Sequence, residues 1–105
     1  MRNFSEKDWK LFRKKLPGWQ EAYMERLCKE YIDLLSSDID ASDRFWELEK
    51  RIKADSKKTG VIATMSRSKM ILNIADLVYD GAISMDELEE FSDDVKEAVR
   101  KMLRM

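Results

Sequence analysis

Apolar residues recur every three or four positions along most of the chain, and no alternating run lasts long enough for a strand. Ser5 opens the first such pattern as an N-cap, with Asp8 in the capping-box position and Trp9, Phe12 and Leu16 following at helical spacing. Pro17-Gly18 then predicts a break. A second helix over residues 19–35 carries Trp19, Tyr23, Leu27, Tyr31 and Leu35, and Met24, Cys28, Ile32 and Leu34 widen its stripe past half the circumference. A stripe that wide needs cover on several sides, so this helix is expected at the centre of the fold.

SSDIDASD supplies stop and start signals together, with Asp40 or Ser42 placed to cap the next helix. That helix is expected to bury a narrow stripe of Ala41, Phe45, Leu48 and Ile52, with Glu47 and Arg51, and Glu49 and Lys53, paired four apart on its solvated side. KADSKKTG reads as a loop, and VIATM is too short to separate extended from helical chain by pattern. A helix is expected from about Thr64 to Tyr79, with Met70, Ile71, Ile74, Leu77 and Val78 inward, closed by Gly81. Ser84 with Glu87 predicts a capping box and a short helix through Phe91. Ser92 starts the last helix, with Val95, Ala98, Val99, Met102 and Leu103 inward, Asp93 and Asp94 at its positive end and Arg100, Lys101 and Arg104 at its negative end. The expected fold is all-α: one compact domain over residues 1–105, a bundle of about five helices around the 19–35 helix.

DGAISMDELEEF resembles the second half of a calcium loop and tests that expectation. With Gly81 at the sixth position, Asp76, Asp80 and Glu87 fall at ligand positions one, five and twelve, but Val78 occupies the third and offers no oxygen. The loop would also start inside the apolar stripe of Ile74, Leu77 and Val78. A helix end at Gly81 followed by a new start at Ser84 accounts for the same residues, so no metal is expected there.

Composition narrows the chemistry further. With 105 residues, three glycines, one proline, 44% hydrophobic and 39% charged residues, the chain suits one globular domain with a modest core. A formal charge of −1 sets up no overall attraction to nucleic acid or anionic lipid. No histidine is present, so imidazole-based metal sites and Ser-His-Asp or Cys-His pairs are excluded. Cys28, the lone cysteine, sits on the apolar side of its helix and reads as a small core residue. KKTG lacks the spacing of a phosphate loop. Without a catalytic constellation or a cofactor motif, a non-catalytic role is expected. The charge-rich start and the lack of an apolar run of about 18 residues lead to the expectation of a cytoplasmic protein with no membrane partner.

Charge is distributed unevenly. Residues 50–69 hold Lys50, Arg51, Lys53, Lys57, Lys58, Arg67 and Lys69 against Asp55, whereas residues 80–97 hold eight acids against Lys96. Opposite patches of this kind suit a protein partner or head-to-tail self-association. The alternative is phosphate contact by the basic segment, helped by Thr59, Ser66 and Ser68, and the acidic stretch would repel the nucleic acid nearby. Trp46 lies about 100° from Phe45 on its helix, and packing inside is expected for it as for Trp9 and Trp19. Exposed beside the basic segment, Trp46 would be a natural interface anchor.

The stretches FWELEKRIK, MSRSKMILNIADL and ISMDELEEFSDDVKEAV are similar to a family of small bacterial proteins that carries the label "multidrug transporter" without an assigned chemistry. The likeness spans about residues 45–99 and extends more faintly over LPGWQEAYMERLCKEYIDLL. It implies a small, soluble, helical cytoplasmic protein and no particular functional residues, because the matching positions are packing residues and caps. Bilayer crossing conflicts with a chain of 39% charged residues and no long apolar run. The expected role is protein–protein interaction, as a small adaptor or regulator, with Trp46 and the basic residues of 50–69 as the candidate surface; weak nucleic-acid binding through that segment is the alternative.

Overall fold

The structure, a computed structural model, describes residues 4–105. Every regular element among them is helical: α1 (Glu6–Leu35), α2 (Ala41–Asp55), α3 (Met70–Tyr79) and α4 (Asp93–Leu103), with short 3-10 turns at Arg67–Lys69 and Met85–Leu88. The expected break at Pro17-Gly18 is absent, and α1 runs through it as one helix of 30 residues. The reason lies in the packing on both flanks. Phe12, Leu16, Trp19 and Tyr23 keep helical spacing across the proline, and all four are buried. Pro17 and Gly18 face solvent, where the carbonyl that loses its amide partner can turn to water.

The core gathers around the N-terminal half of α1. Trp9, Phe12, Leu16 and Trp19 meet Met70, Ile74 and Leu77 of α3, Ile83, Leu88 and Phe91 of the following connection, and Val95 and Val99 of α4. Trp19 packs between Phe12 and Phe91 at ring-centroid distances of 6.5 and 6.2 Å. Such aromatic contacts add to the burial of each ring. The α3 and α4 stripes thus face inward largely as their spacing predicts, with Ile71, Val78, Ala98 and Leu103 only half-buried and Met102, expected inward, exposed.

One carboxylate joins the starts of α1 and α4. Ser5 caps α1 by accepting the Asp8 N–H (3.1 Å), and Ser92 caps α4 by accepting the Val95 N–H (3.3 Å). Asp8 is buried, and its carboxylate accepts from the Ser92 N–H (3.0 Å), the Ser92 hydroxyl (2.7 Å) and the Ser5 hydroxyl (2.8 Å). Burial alone would raise the Asp8 pKa, but the Ser92 and Ser5 hydrogen bonds outweigh it and hold the carboxyl below its ordinary value. Both helix starts also present positive dipole ends to this carboxylate.

Connections differ from expectation in detail. Gly81 adopts φ 75°, with the Ala82 N–H on the Leu77 carbonyl (2.8 Å) and the Gly81 N–H on the Val78 carbonyl (3.0 Å), a Schellman closure of α3. Asp76 lies inside that helix and accepts from the Thr59 hydroxyl at 3.4 Å, so the chain is a helix end here and not an ion loop. The expected Ser84 capping box does not form: Ser84 makes no side-chain cap, and only a 3-10 turn follows. Residues 62–66 are irregular, and helical structure begins at Arg67, later than Thr64. The connection from α2 to α3 is instead tied down by side chains, Gln20 donating to the Thr59 carbonyl and buried Asn73 to the Thr64 carbonyl, each at 3.0 Å. Gly60 is buried against the Tyr23 ring, where a Cβ would come within 2.8 Å of ring carbons.

Three glycine and carboxylate changes test this fold by thermal or denaturant unfolding. Gly18→Ala, in an exposed helical position with open space around it, is expected to stabilise by about 0.5–1 kcal/mol. Gly60→Ala forces Tyr23 to move and is expected to cost about 1–3 kcal/mol. Because the folded pKa of Asp8 is depressed, its contribution is present above the unfolded value and is lost as pH falls below about 4. Asp8→Asn is therefore expected to lower stability at pH 7 and to flatten the loss of melting temperature between about pH 5 and pH 2.

Candidate interaction surface

The C-terminal half of α1 carries α2 beside it as an antiparallel hairpin, away from the main core, in a molecule measuring 52 × 25 × 21 Å. Asp40 stands at the N-cap of α2 without a side-chain cap bond, though its carbonyl accepts the Arg44 N–H at 3.0 Å. The Glu47–Arg51 and Glu49–Lys53 pairs form along the helix at 3.3 and 3.0 Å. Exposed pairs of this spacing contribute a few tenths of a kcal/mol each.

Polar groups fasten α2 to α1. Arg44 donates to the Leu35 carbonyl (2.6 Å), and the Tyr31 hydroxyl donates to Asp55 (2.5 Å). Burial, and then the Asp55 carboxylate, push the Tyr31 phenol well above its ordinary pKa, so it remains a donor at any physiological pH. Arg51 and Asp55 also line a polar cleft of about 510 Å³ with Tyr23, Arg26, Glu30 and Lys58. Arg26 lies 5.4 Å over the Tyr23 ring and donates to the Gly81 carbonyl at 2.7 Å. Arg44, Arg51 and Asp55 share one face of α2 at spacings of seven and four.

The apolar stripe of α2 lies to one side of that polar joint and is left largely in solvent, with Leu48 half-buried. None of the residues of α2 is buried. Phe45 and Trp46 are each 63% exposed and Ile52 is 46% exposed, correcting the expectation that Ala41, Phe45, Leu48 and Ile52 face a core. Trp46 stands edge-on to Phe45 at 5.0 Å and is exposed, unlike Trp9 and Trp19. Phe45, Leu48 and Ile52 line a groove of about 370 Å³. At Ile52 it meets a second groove, of about 360 Å³, lined by Met24, Cys28, Tyr31 and Val61. Cys28 is accordingly an exposed thiol and not a core residue, and Ile32 and Leu35 are exposed as well. The helix over 19–35 is thus buried on one side only, at Trp19, Tyr23, Leu27 and Leu34, and does not occupy the centre of the fold.

The basic segment does not assemble into one patch. Lys50, Arg51 and Lys53 sit on α2, Lys57 and Lys58 on the turn after it, and Arg67 and Lys69 on the 3-10 turn before α3. Arg51 and Lys53 are engaged by Glu47 and Glu49, Lys58 lies 3.9 Å from Asp55, and Arg67 pairs with Glu6 at 2.6 Å while lying 5.8 Å over Trp9. Lys50, Lys57 and Lys69 are exposed. The Thr59 hydroxyl is turned to Asp76, and those of Ser66 and Ser68 bond each other at 3.0 Å. Sequence reasoning placed Trp46 on this surface but missed Phe45, Ile52 and Cys28, which adjoin it.

Among the described residues, no cluster of three or more His, Cys, Asp or Glu side chains is placed to hold a metal ion, and no helix is long and apolar enough to cross a membrane. Neither a protein-family model, nor a curated protein, nor a solved structure matches the chain.

The exposure of the α2 stripe has a measurable consequence for stability. Phe45→Asp and Trp46→Ala are each expected to change the unfolding free energy of the single chain by about 0.5 kcal/mol or less, whereas Trp19→Ala is expected to cost about 3–5 kcal/mol. Urea denaturation followed by circular dichroism at low protein concentration checks the contrast.

Proposed function

We propose that the protein is a non-catalytic interaction module, a small helical adaptor or regulator that docks a protein partner on the exposed face of the α1–α2 hairpin. One observation carries this reading: α2 has an apolar stripe at helical spacing yet buries no residue within its own chain. A helix patterned in this way gains stability by laying that stripe against another surface. Phe45 and Trp46 supply the aromatic anchors that concentrate binding energy, and Lys50, Arg51 and Lys53 form a charged rim beside them.

Nucleic-acid binding through residues 50–69 is the competing reading and has less support. Carboxylates already engage Arg51, Lys53 and Arg67, and internal hydrogen bonds take up the hydroxyls that would have helped to hold phosphates.

Photo-crosslinking in the source cell tests the proposal. A benzophenone amino acid in place of Trp46 is expected to give a discrete protein adduct that disappears when Ile52→Glu is added, while the same probe at exposed Lys10 gives none. The complex is expected to persist as salt rises from about 50 to 200 mM, a range over which phosphate-driven binding collapses. Nucleic acid as the only adduct, or no adduct from position 46, contradicts the proposal.

A further inference from the structure

Which surface would cover the hairpin face follows from the order of residues on α2. The apolar groove is nearly symmetric along the helix: Phe45 stands toward one end, Leu48 near the middle and Ile52 toward the other. A two-fold axis passing near Leu48 would set two α2 helices antiparallel, with Phe45 of each copy against Ile52 of the other and Leu48 meeting itself. The charges have the matching polarity. Away from the joint with α1, the first half of α2 carries Asp43 and Glu47, and the second half carries Lys50 and Lys53 against Glu49. Antiparallel pairing therefore brings the acidic half of each helix onto the basic half of the other, whereas parallel pairing would oppose like charges.

The area available agrees with a modest dimer. The exposed parts of Phe45, Trp46 and Ile52 come to roughly 400 Å² per copy, the apolar centre of a small interface. On α1, exposed Cys28 and Leu35 with half-buried Met24 and Tyr31 continue the same surface, so two hairpins can meet as a four-helix arrangement.

From this self-complementary stripe and charge order we infer that the partner is a second copy of the chain, docked through the α1–α2 face about a two-fold axis near Leu48. The inference rests on the interaction reading above and specifies its partner. A pair of this size and polarity is expected to dissociate in the micromolar range.

Sedimentation velocity on the wild-type chain from about 1 to 200 μM is the test. The mass is expected to rise toward twice 12.4 kDa, and Phe45→Asp or Ile52→Asp is expected to return it to a single chain with unchanged helix content. Alkylation of Cys28, the only thiol, is expected to slow several-fold as the wild type associates and to remain fast in either variant. A wild type that stays monomeric throughout overturns the inference, as does a dimer that survives both substitutions. The adduct from position 46 separates the two readings: a monomer that crosslinks to a protein of another mass removes the self-association while leaving the interaction module, and a monomer with no adduct removes both.

Discussion

Helix α1 is the constraint from which the rest of the architecture follows, because it remains one helix through Pro17-Gly18. A proline in a helix interior costs a hydrogen bond and a steric clash of about 3 kcal/mol, and the adjoining glycine adds to the cost. Against this stand Phe12 and Leu16 before the pair and Trp19 and Tyr23 after it, all buried and in one helical phase. Each buried side chain of this size contributes about 1.5–3 kcal/mol, so the packing outweighs the breaker. A bend at Pro17 would pull Trp19 out from between Phe12 and Phe91.

The uneven shape of the molecule follows from that straight run. Thirty helical residues span about 45 Å, longer than the ten-residue α3 and eleven-residue α4 can cover. These two shorter helices and the connection between them close the core around the first half of α1, and the Asp8 carboxylate locks the start of α4 to the start of α1. The second half of α1 extends past this core, where α2 is its neighbour across a joint made by Tyr31–Asp55 and Arg44–Leu35. The hairpin joint bonds Tyr31 to Asp55 and the Arg44 Nη1 to Leu35, leaves the Arg44 Nε buried without a partner, and keeps Phe45, Trp46 and Ile52 exposed, an arrangement that makes sense when another surface completes it.

Periodicity made most of the helices legible, along with the inward faces of α3 and α4, since Ile74, Leu77, Val95 and Val99 repeat on faces that pack into the core. It could not show which stripes find cover within the chain. Phe45, Leu48 and Ile52 repeat at the same spacings of three and four as the buried pairs, but exposure depends on where α1 delivers α2, and that depends on the reading of Pro17. The local capping signal at Ser5 and Asp8 was visible, whereas the partner that matters most to Asp8, Ser92, lies 84 residues away and leaves no local pattern. Ser84 and Glu87 show the opposite case, a capping signal whose helix is displaced by the packing of Leu88 and Phe91 into the core. For the surface, Trp46 was legible as an anchor once exposed, and the seven basic residues were legible as a cluster only along the chain, because the fold distributes them over separate elements.

The distance along α1 tests the account most directly. Cys28 and a cysteine replacing Lys10 lie eighteen residues apart, five full turns, and both positions are exposed on the same side of the helix. Spin labels at the two sites, in protein diluted with unlabelled chain, are expected to give one narrow pulsed-EPR distance distribution near about 27 Å. A markedly shorter or broad distribution would mean that α1 bends at Pro17-Gly18 and packs back on itself, which contradicts both the long helix and the open hairpin face that depends on it.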